Sequence, residues 1–387
     1  MMHRKVLLLA AAFTGLGGIA LAADGADKTP GGPVRVVAPD GPDRAGKQPQ
    51  AAVDRAGRIY VAFGAGSTVR LAVSTDRGES FQVSPVGSVG SLAIGMRRGP
   101  RVVASGDSVV VTAIGGEKGK GQDGDVLAWR STDSGKTWAG PTRVNAVPSS
   151  AREGLHGMAS GPEGKVFTTW LDLRNKRTEI YGAMSKDGGK TWEPDALVYR
   201  SPERSVCECC HPSAAFAPDG TLHVMWRNSL KGARDLFLAS SSDGGETFRT
   251  AEKLGQGTWA LNACPMDGGA VAVLPDGQVE TVWMRAGTIY AAKPGEPERE
   301  LGRGVQGWTA SGSGGAYSIW LEKRPGKLMA LTPRAGSPIT LDDHAGDPVI
   351  ASAPGGHGSV VAVWESKSGE GGILAQVLPA SEKEESR

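Results

Sequence analysis

Three of the four cysteines in this chain fall within four positions, Cys207, Cys209 and Cys210, and a histidine, His211, follows directly. The fourth, Cys264, lies two residues before Met266. Thiolates, an imidazole and a thioether together form a soft donor set, suited to Cu(I), or to Zn(II) if four donors close tetrahedrally. The run Cys-x-Cys-Cys-His matches no standard zinc spacing. An even cysteine count in an exported chain favours disulfides instead, and a bridge from Cys264 to the run would staple two distant segments. A direct bridge between the adjacent Cys209 and Cys210 would be strained. Thiol redox chemistry is placed last, because the run reads as C-x-C-C rather than as a C-x-x-C pair.

What must position these residues is a chain with an export signal and many turns. Residues 1–22 carry a short basic start, MMHRK, an apolar run, and the ending Ala20-Leu21-Ala22, which reads as a secretory signal peptide. The mature protein is therefore expected in the periplasm or outside the cell, without a membrane span. Residues 23–32 read as a flexible leader and 380–387 as a charged tail, leaving 33–379 as one domain. The net charge of +2 leaves no basic stripe for phosphates, which excludes nucleic acid as a partner. The 57 glycines and 24 prolines point to a turn-rich fold, and no stretch shows sustained helical periodicity.

The domain repeats itself. Segments 74–81 (STDRGESF), 131–138 (STDSGKTW), 185–192 (SKDGGKTW) and 241–248 (SSDGGETF) share one pattern, with aspartates at Asp76, Asp133, Asp187 and Asp243. Between them recurs a turn followed by alternating apolar residues, seven times in all, as in GKVFTTW (164–170), GTLHVMW (220–226) and GSVVAVW (358–364). Each unit reads as four short strands, and radial arrays of such sheets are β-propellers. The fold is therefore expected to be all-β and seven-bladed, six being the alternative, with the segment from Pro33 supplying the last strand of the last blade. A monomer is expected.

The S-x-D-x-G-x-T-W segment is the Asp-box, or bacterial neuraminidase repeat, and the chain resembles the sialidase-type propeller superfamily over nearly its whole mature length. In such a turn, Asp and Ser side chains satisfy backbone N–H groups, glycine takes the left-handed conformation and the aromatic packs between sheets. Sialidases, other glycosidases, lectin-like binders and assembly factors share the repeat, so the fold alone does not fix the chemistry. In the sialidase manner the resemblance implies an arginine triad gripping an acidic sugar, for which Arg174, Arg227 and Arg285 are the candidates. It also implies a tyrosine nucleophile, matched only by Tyr317, with Glu153 or Asp172 as base and acid. The family's N-terminal Arg-Ile-Pro signature is absent, and Arg35-Val-Val stands there instead.

Propeller topology locates both sets. Loops that enter each blade open on one face and Asp-box turns on the other, so residues 207–211 and 264–266, from adjacent blades, should be neighbours at one mouth. Arg97, Arg98, Arg152, Glu153 and His156 are expected there, with Asn228 beside Arg227. Two functions follow as expectations: recognition, extending to hydrolysis, of an acidic glycan or other small anion, or a non-catalytic copper- or zinc-binding or interaction scaffold.

Overall fold

The computed structural model describes residues 31–379 apart from 38, 39, 42, 334 and 357. The expected signal peptide, almost all of the leader and the charged tail lie outside the described residues. Apart from one 3-10 turn at Pro162–Gly164, the described elements are strands, arranged in six antiparallel sheets.

The first five sheets follow the chain in order. One is Lys47–Val53, Ile59–Ala65, Thr68–Ser74 and Gln82–Ser88. The next runs from Arg101–Ser105 to Ala139–Arg143 and gains a short extra strand, Ser91–Leu92. The third comprises His156–Ser160, Val166–Asp172, Glu179–Ser185 and Ala196–Tyr199. The fourth comprises Ser213–Phe216, Leu222–Arg227, Leu236–Ser241 and Glu252–Lys253, and the fifth runs from Ala270–Val273 to Arg299–Arg303.

The sixth sheet has seven strands because the 14-residue strand Ile339–Ser352 serves two neighbours. Its first half pairs with Gly326–Leu331 and its second half with Val360–Ser366, with register shifts along both pairings. The sheet ends where Val34–Arg35 pairs antiparallel with Ile373–Leu378.

In every sheet the second strand is buried on both faces. Val166–Asp172 and Val360–Ser366 are buried at every position. Neighbouring sheets cover both faces, so the polar residues that alternate with the apolar ones sit between sheets rather than in water. Trp170, Trp226, Trp283, Trp320 and Trp364, near the ends of these strands, are almost completely buried. Each removes roughly 200 Å² from water, a gross gain of about 5 kcal/mol.

The Asp-box turns repeat nearly atom for atom. Ser74, Ser131, Ser185 and Ser241 donate to the aspartate two residues on at 2.7–2.8 Å, and each accepts the N–H of the glycine four residues on at 2.8 Å. Hydroxyls of Ser80, Thr137, Thr191 and Thr247 close the turns from the other side, and these bonds hold Asp76 down at about 2.

Residues from seven strands surround an axial channel of about 470 Å³. Small side chains line it, among them Ala51, Ala104, Ala159, Ala214, Ala272, Ala310 and Ala351. At the end where these strands begin, buried side chains fill the axis. Arg97 donates to the carbonyls of Pro348 (2.7 Å) and Gln306 (3.0 Å) and lies 5.0 Å above the Trp308 ring, against which the His211 imidazole also stacks.

Candidate functional site at the cysteine-bearing face

The cysteine run is an entry loop between Ala196–Tyr199 and Ser213–Phe216. Val206 bonds to the Thr178 carbonyl and Cys207 to the Arg227 carbonyl, both at 3.0 Å, so the loop is pinned to the strand ends of the sheets on either side. Ser185, in the Asp-box turn, pairs with Val166, which pairs in turn with Ser160, the last residue of its inner strand. Asp-boxes and cysteines therefore lie at opposite ends of the strands.

A neighbouring loop, residues 264–268, lies against this one. A Cβ on Gly268 would stand 2.0 Å from the His211 carbonyl oxygen, so only glycine lets the two backbones approach. Met266 packs on the cluster of Cys207, Cys209 and Cys210, and the Cys264 thiol interacts with that of Cys209. The structure thus brings together the stretches that the sequence placed at one mouth.

All four cysteines are free thiols. Sulfur–sulfur distances are 3.2 Å for Cys207–Cys210, 3.7 Å for Cys207–Cys209 and 3.9 Å for Cys209–Cys210, against about 2.05 Å for a disulfide bond. Cys207 and Cys210 are buried, Cys209 nearly so, and Cys264 is exposed. Interactions with the Cys209 and Cys210 thiols hold the Cys207 thiol well below the ordinary range, with the Arg227 guanidinium adding to the effect. Burial pushes Cys210 up. One sequence expectation needs correcting. Cys207 and Cys210 are separated by two residues, so the run contains the C-x-x-C spacing after all, and these two sulfurs are the closest of the set.

His211 does not join the thiols. Three sulfurs, and no imidazole nitrogen, form the cluster of potential metal ligands. Its ring stacks on Trp308 with centroids 5.2 Å apart, and burial keeps it neutral. His156 is likewise buried, with Nε2 3.0 Å from the Thr112 hydroxyl.

The expected arginine triad is not available for an anion. Arg227 is buried and donates to three backbone carbonyls, Asp267 (2.8 Å), Arg234 (2.6 Å) and Met284 (2.8 Å). Arg174 is clamped between Asp172 and Asp195, with bonds of 2.6–3.1 Å, and lies over the Tyr181 ring. Arg285 is paired with Glu298 at 2.8 Å and lies over the Tyr290 ring. Each guanidinium already holds partners that a ligand carboxylate would have to displace.

The expected catalytic residues are also apart. Asp172 is buried and accepts from Ser150, Trp170 and Arg174. Tyr317 is buried, pairs with Ala310 near the Asp-box end of its sheet, and donates to the Pro379 carbonyl at 3.0 Å. It stands at the wrong end to serve as nucleophile beside Arg174, Arg227 and Arg285. Glu153 also lies at the cysteine-bearing mouth. Burial foremost, with Glu208 contributing, raises its pKa, and Arg98 donates to its backbone carbonyl.

Comparison with known proteins agrees with the fold. Residues 96–285, which carry three of the four Asp-box segments, match the family model of the BNR repeat-like domain. Among curated proteins, none matches this sequence. Similar solved structures include a protein of unknown function from Dyadobacter fermentans, 18% identical, TM-score 0.53, covering 87% of this chain and 95% of that one. Another is the Penicillium chrysogenum alpha-L-arabinanase complexed with arabinobiose, 14% identical, TM-score 0.53, covering 90% and 98%. A third is a Hadza microbial sialidase, 14% identical, TM-score 0.51, covering 84% and 74%. At these identities the likeness speaks for the fold alone.

Proposed function

We propose that this protein is an exported, seven-bladed propeller that holds one soft metal ion, Cu(I) or Zn(II), in the thiol cluster of Cys207, Cys209 and Cys210. Seven blades follow if Ile339–Ser352 is shared by the last two and Val34–Arg35 completes the final one, an arrangement supported by the strand pairings. The observation carrying the metal reading is the sulfur spacing of 3.2–3.9 Å. Thiolates bound tetrahedrally at a Zn–S distance of about 2.3 Å stand about 3.8 Å from one another, so the cluster needs little rearrangement to close on an ion. Met266 and Cys264, on the facing loop, can complete the shell, and the buried Arg227 cation offsets part of the thiolate charge.

The test is metal content of the full mature chain purified anaerobically with reductant, followed by competition with a chromophoric Cu(I) or Zn(II) chelator. One ion per chain, lost in a Cys207→Ser, Cys210→Ser double variant that still folds, is the expected result. A wild-type protein that yields its ion to weak, micromolar-affinity chelators would end this reading.

Recognition of an acidic glycan is the second reading, and one observation favours it. Glu153, whose burial raises its pKa, shares the mouth with Glu208, Arg98 and Arg152, and a carboxyl that holds its proton more tightly than usual suits general-acid chemistry. Turnover of fluorogenic sialosides or arabinosides that disappears in Glu153→Gln would support it; no turnover with either would remove it.

A further inference from the structure

The four thiols differ in exposure in a way that orders them. Cys264 is exposed on the loop whose Met266 packs against the three inner cysteines; Cys209 lies 3.7 Å from Cys207; and Cys207 lies 3.2 Å from the fully enclosed Cys210. The closest pair is therefore the one no external molecule can reach directly. The geometry points to a further activity, thiol–disulfide exchange, in which Cys264 and Cys209 form an outer pair that passes oxidation inward to Cys207 and Cys210.

The steps balance with a small dialkyl disulfide as oxidant. The Cys264 thiolate attacks one sulfur of the disulfide, forming a mixed disulfide and releasing one thiolate, which takes up a proton. Cys209 attacks the Cys264 sulfur, forming a Cys209–Cys264 bond and releasing the second small thiolate. Cys207 then attacks the Cys209 sulfur and expels Cys264. Cys210 attacks the Cys207 sulfur and expels Cys209. The net change is one external disulfide reduced to two thiols and one internal disulfide, Cys207–Cys210, formed. An inward direction is favoured because the intermediate Cys207–Cys209 bond closes a tight C-x-C ring, whereas the final bond spans the C-x-x-C separation. The pathway uses the sulfurs of the proposed metal site and does not require an ion, so either reading can fail while the other stands.

The experiment incubates reduced, metal-free, full mature protein with glutathione disulfide, quenches aliquots with an alkylating agent and maps disulfides by mass spectrometry. An early cross-link between the peptides carrying Cys209 and Cys264 should give way to an end state with Cys207–Cys210 bonded and Cys209 and Cys264 alkylated. Cys264→Ser should slow the reaction at least about tenfold yet reach the same end state, because only access to the inner pair is lost. Cys209→Ser, which removes the intermediate relay point, should instead stop at a mixed disulfide between glutathione and Cys264 with Cys207 and Cys210 still reduced, and circular dichroism confirms that both variants fold. Oxidation of Cys264→Ser at the wild-type rate, an end state left at Cys209–Cys264, or four thiols that stay reduced would each overturn the relay. Metal retention by the reduced protein is read separately and reports only on the metal site.

Discussion

Arg227 donates from Nε to the carbonyl oxygen of Asp267 at 2.8 Å, and through that bond the strand bearing Arg227 holds the loop bearing Cys264 and Met266. The same guanidinium faces Cys207 and Cys210 as a buried positive charge. One side chain thus both positions the facing loop and supplies the cation beside the thiols.

Replacing Arg227 with Met should therefore leave three buried carbonyls without their donor and lower stability by about 3 kcal/mol. Urea unfolding measures the loss. The alkylation rate of the thiols against pH should also move, its midpoint rising as the neighbouring cation disappears. A midpoint unchanged in a folded variant would show that Arg227 acts on the loop alone.

Gly268→Ala places a methyl group 2.0 Å from the His211 carbonyl oxygen, and both neighbours of the clash are backbone-fixed loops. The loop must retreat, taking Cys264 and Met266 with it. We expect a short bifunctional thiol reagent that bridges Cys209 and Cys264 in the wild type to lose that product in the variant, while the circular dichroism spectrum keeps its sheet signature.

Met266→Ala separates the candidate metals. A thioether is a soft donor that suits Cu(I) and contributes little to Zn(II). Competition titrations should show Cu(I) affinity falling roughly tenfold, about 1.4 kcal/mol, with Zn(II) affinity little changed. Equal losses for both ions would assign Met266 to packing.

His156 sets a pH dependence on stability. Burial, and then the charge of Arg101, hold its folded pKa well below that of the unfolded chain, about 6.5. Above that value both states are neutral and the residue contributes no slope. Below it only the unfolded state takes up a proton, so stability falls as pH drops, by about 1 kcal/mol from pH 6.5 to 5.5, until the folded pKa is reached. Urea midpoints at several pH values should show this slope, reduced by that amount in His156→Gln.

In Ser185→Ala, the N–H of Gly189 loses its acceptor inside a buried turn and Asp187 loses a donor. A cost of about 1–2 kcal/mol is expected from unfolding curves. The exposed Ser80 hydroxyl, which caps Asp76 from outside, should cost less when removed.

Much of the architecture could be read from residues that repeat. The Asp-boxes and the Trp-ended strands have local causes, a turn that needs Asp, Ser and Gly and a blade core that needs a large ring, so their sequence spacing carries the fold. The placing of Cys207 to Cys210 beside Met266 was also legible, because it follows from which blade end each loop enters. What escaped was anything decided by partners without a signature. Arg174 pairs with Asp195, 21 residues on, and Arg285 with Glu298, partners that no spacing singles out. The acceptors of Arg227 are main-chain oxygens, which no residue type announces. Tyr317 looked like a nucleophile by its neighbours in sequence, yet its register with Ala310 sets it at the far end of the ring.

The pairing of Val34–Arg35 with Ile373–Leu378 has a consequence for assembly in time. A ribosome makes the first of these strands more than three hundred residues before the second, so the sheet they share stays incomplete until residues 373–378 have been made. Nascent chains stalled after residue 366 and short of residue 373 should present the edge of Val360–Ser366 uncovered, a ready mate for another unfinished chain.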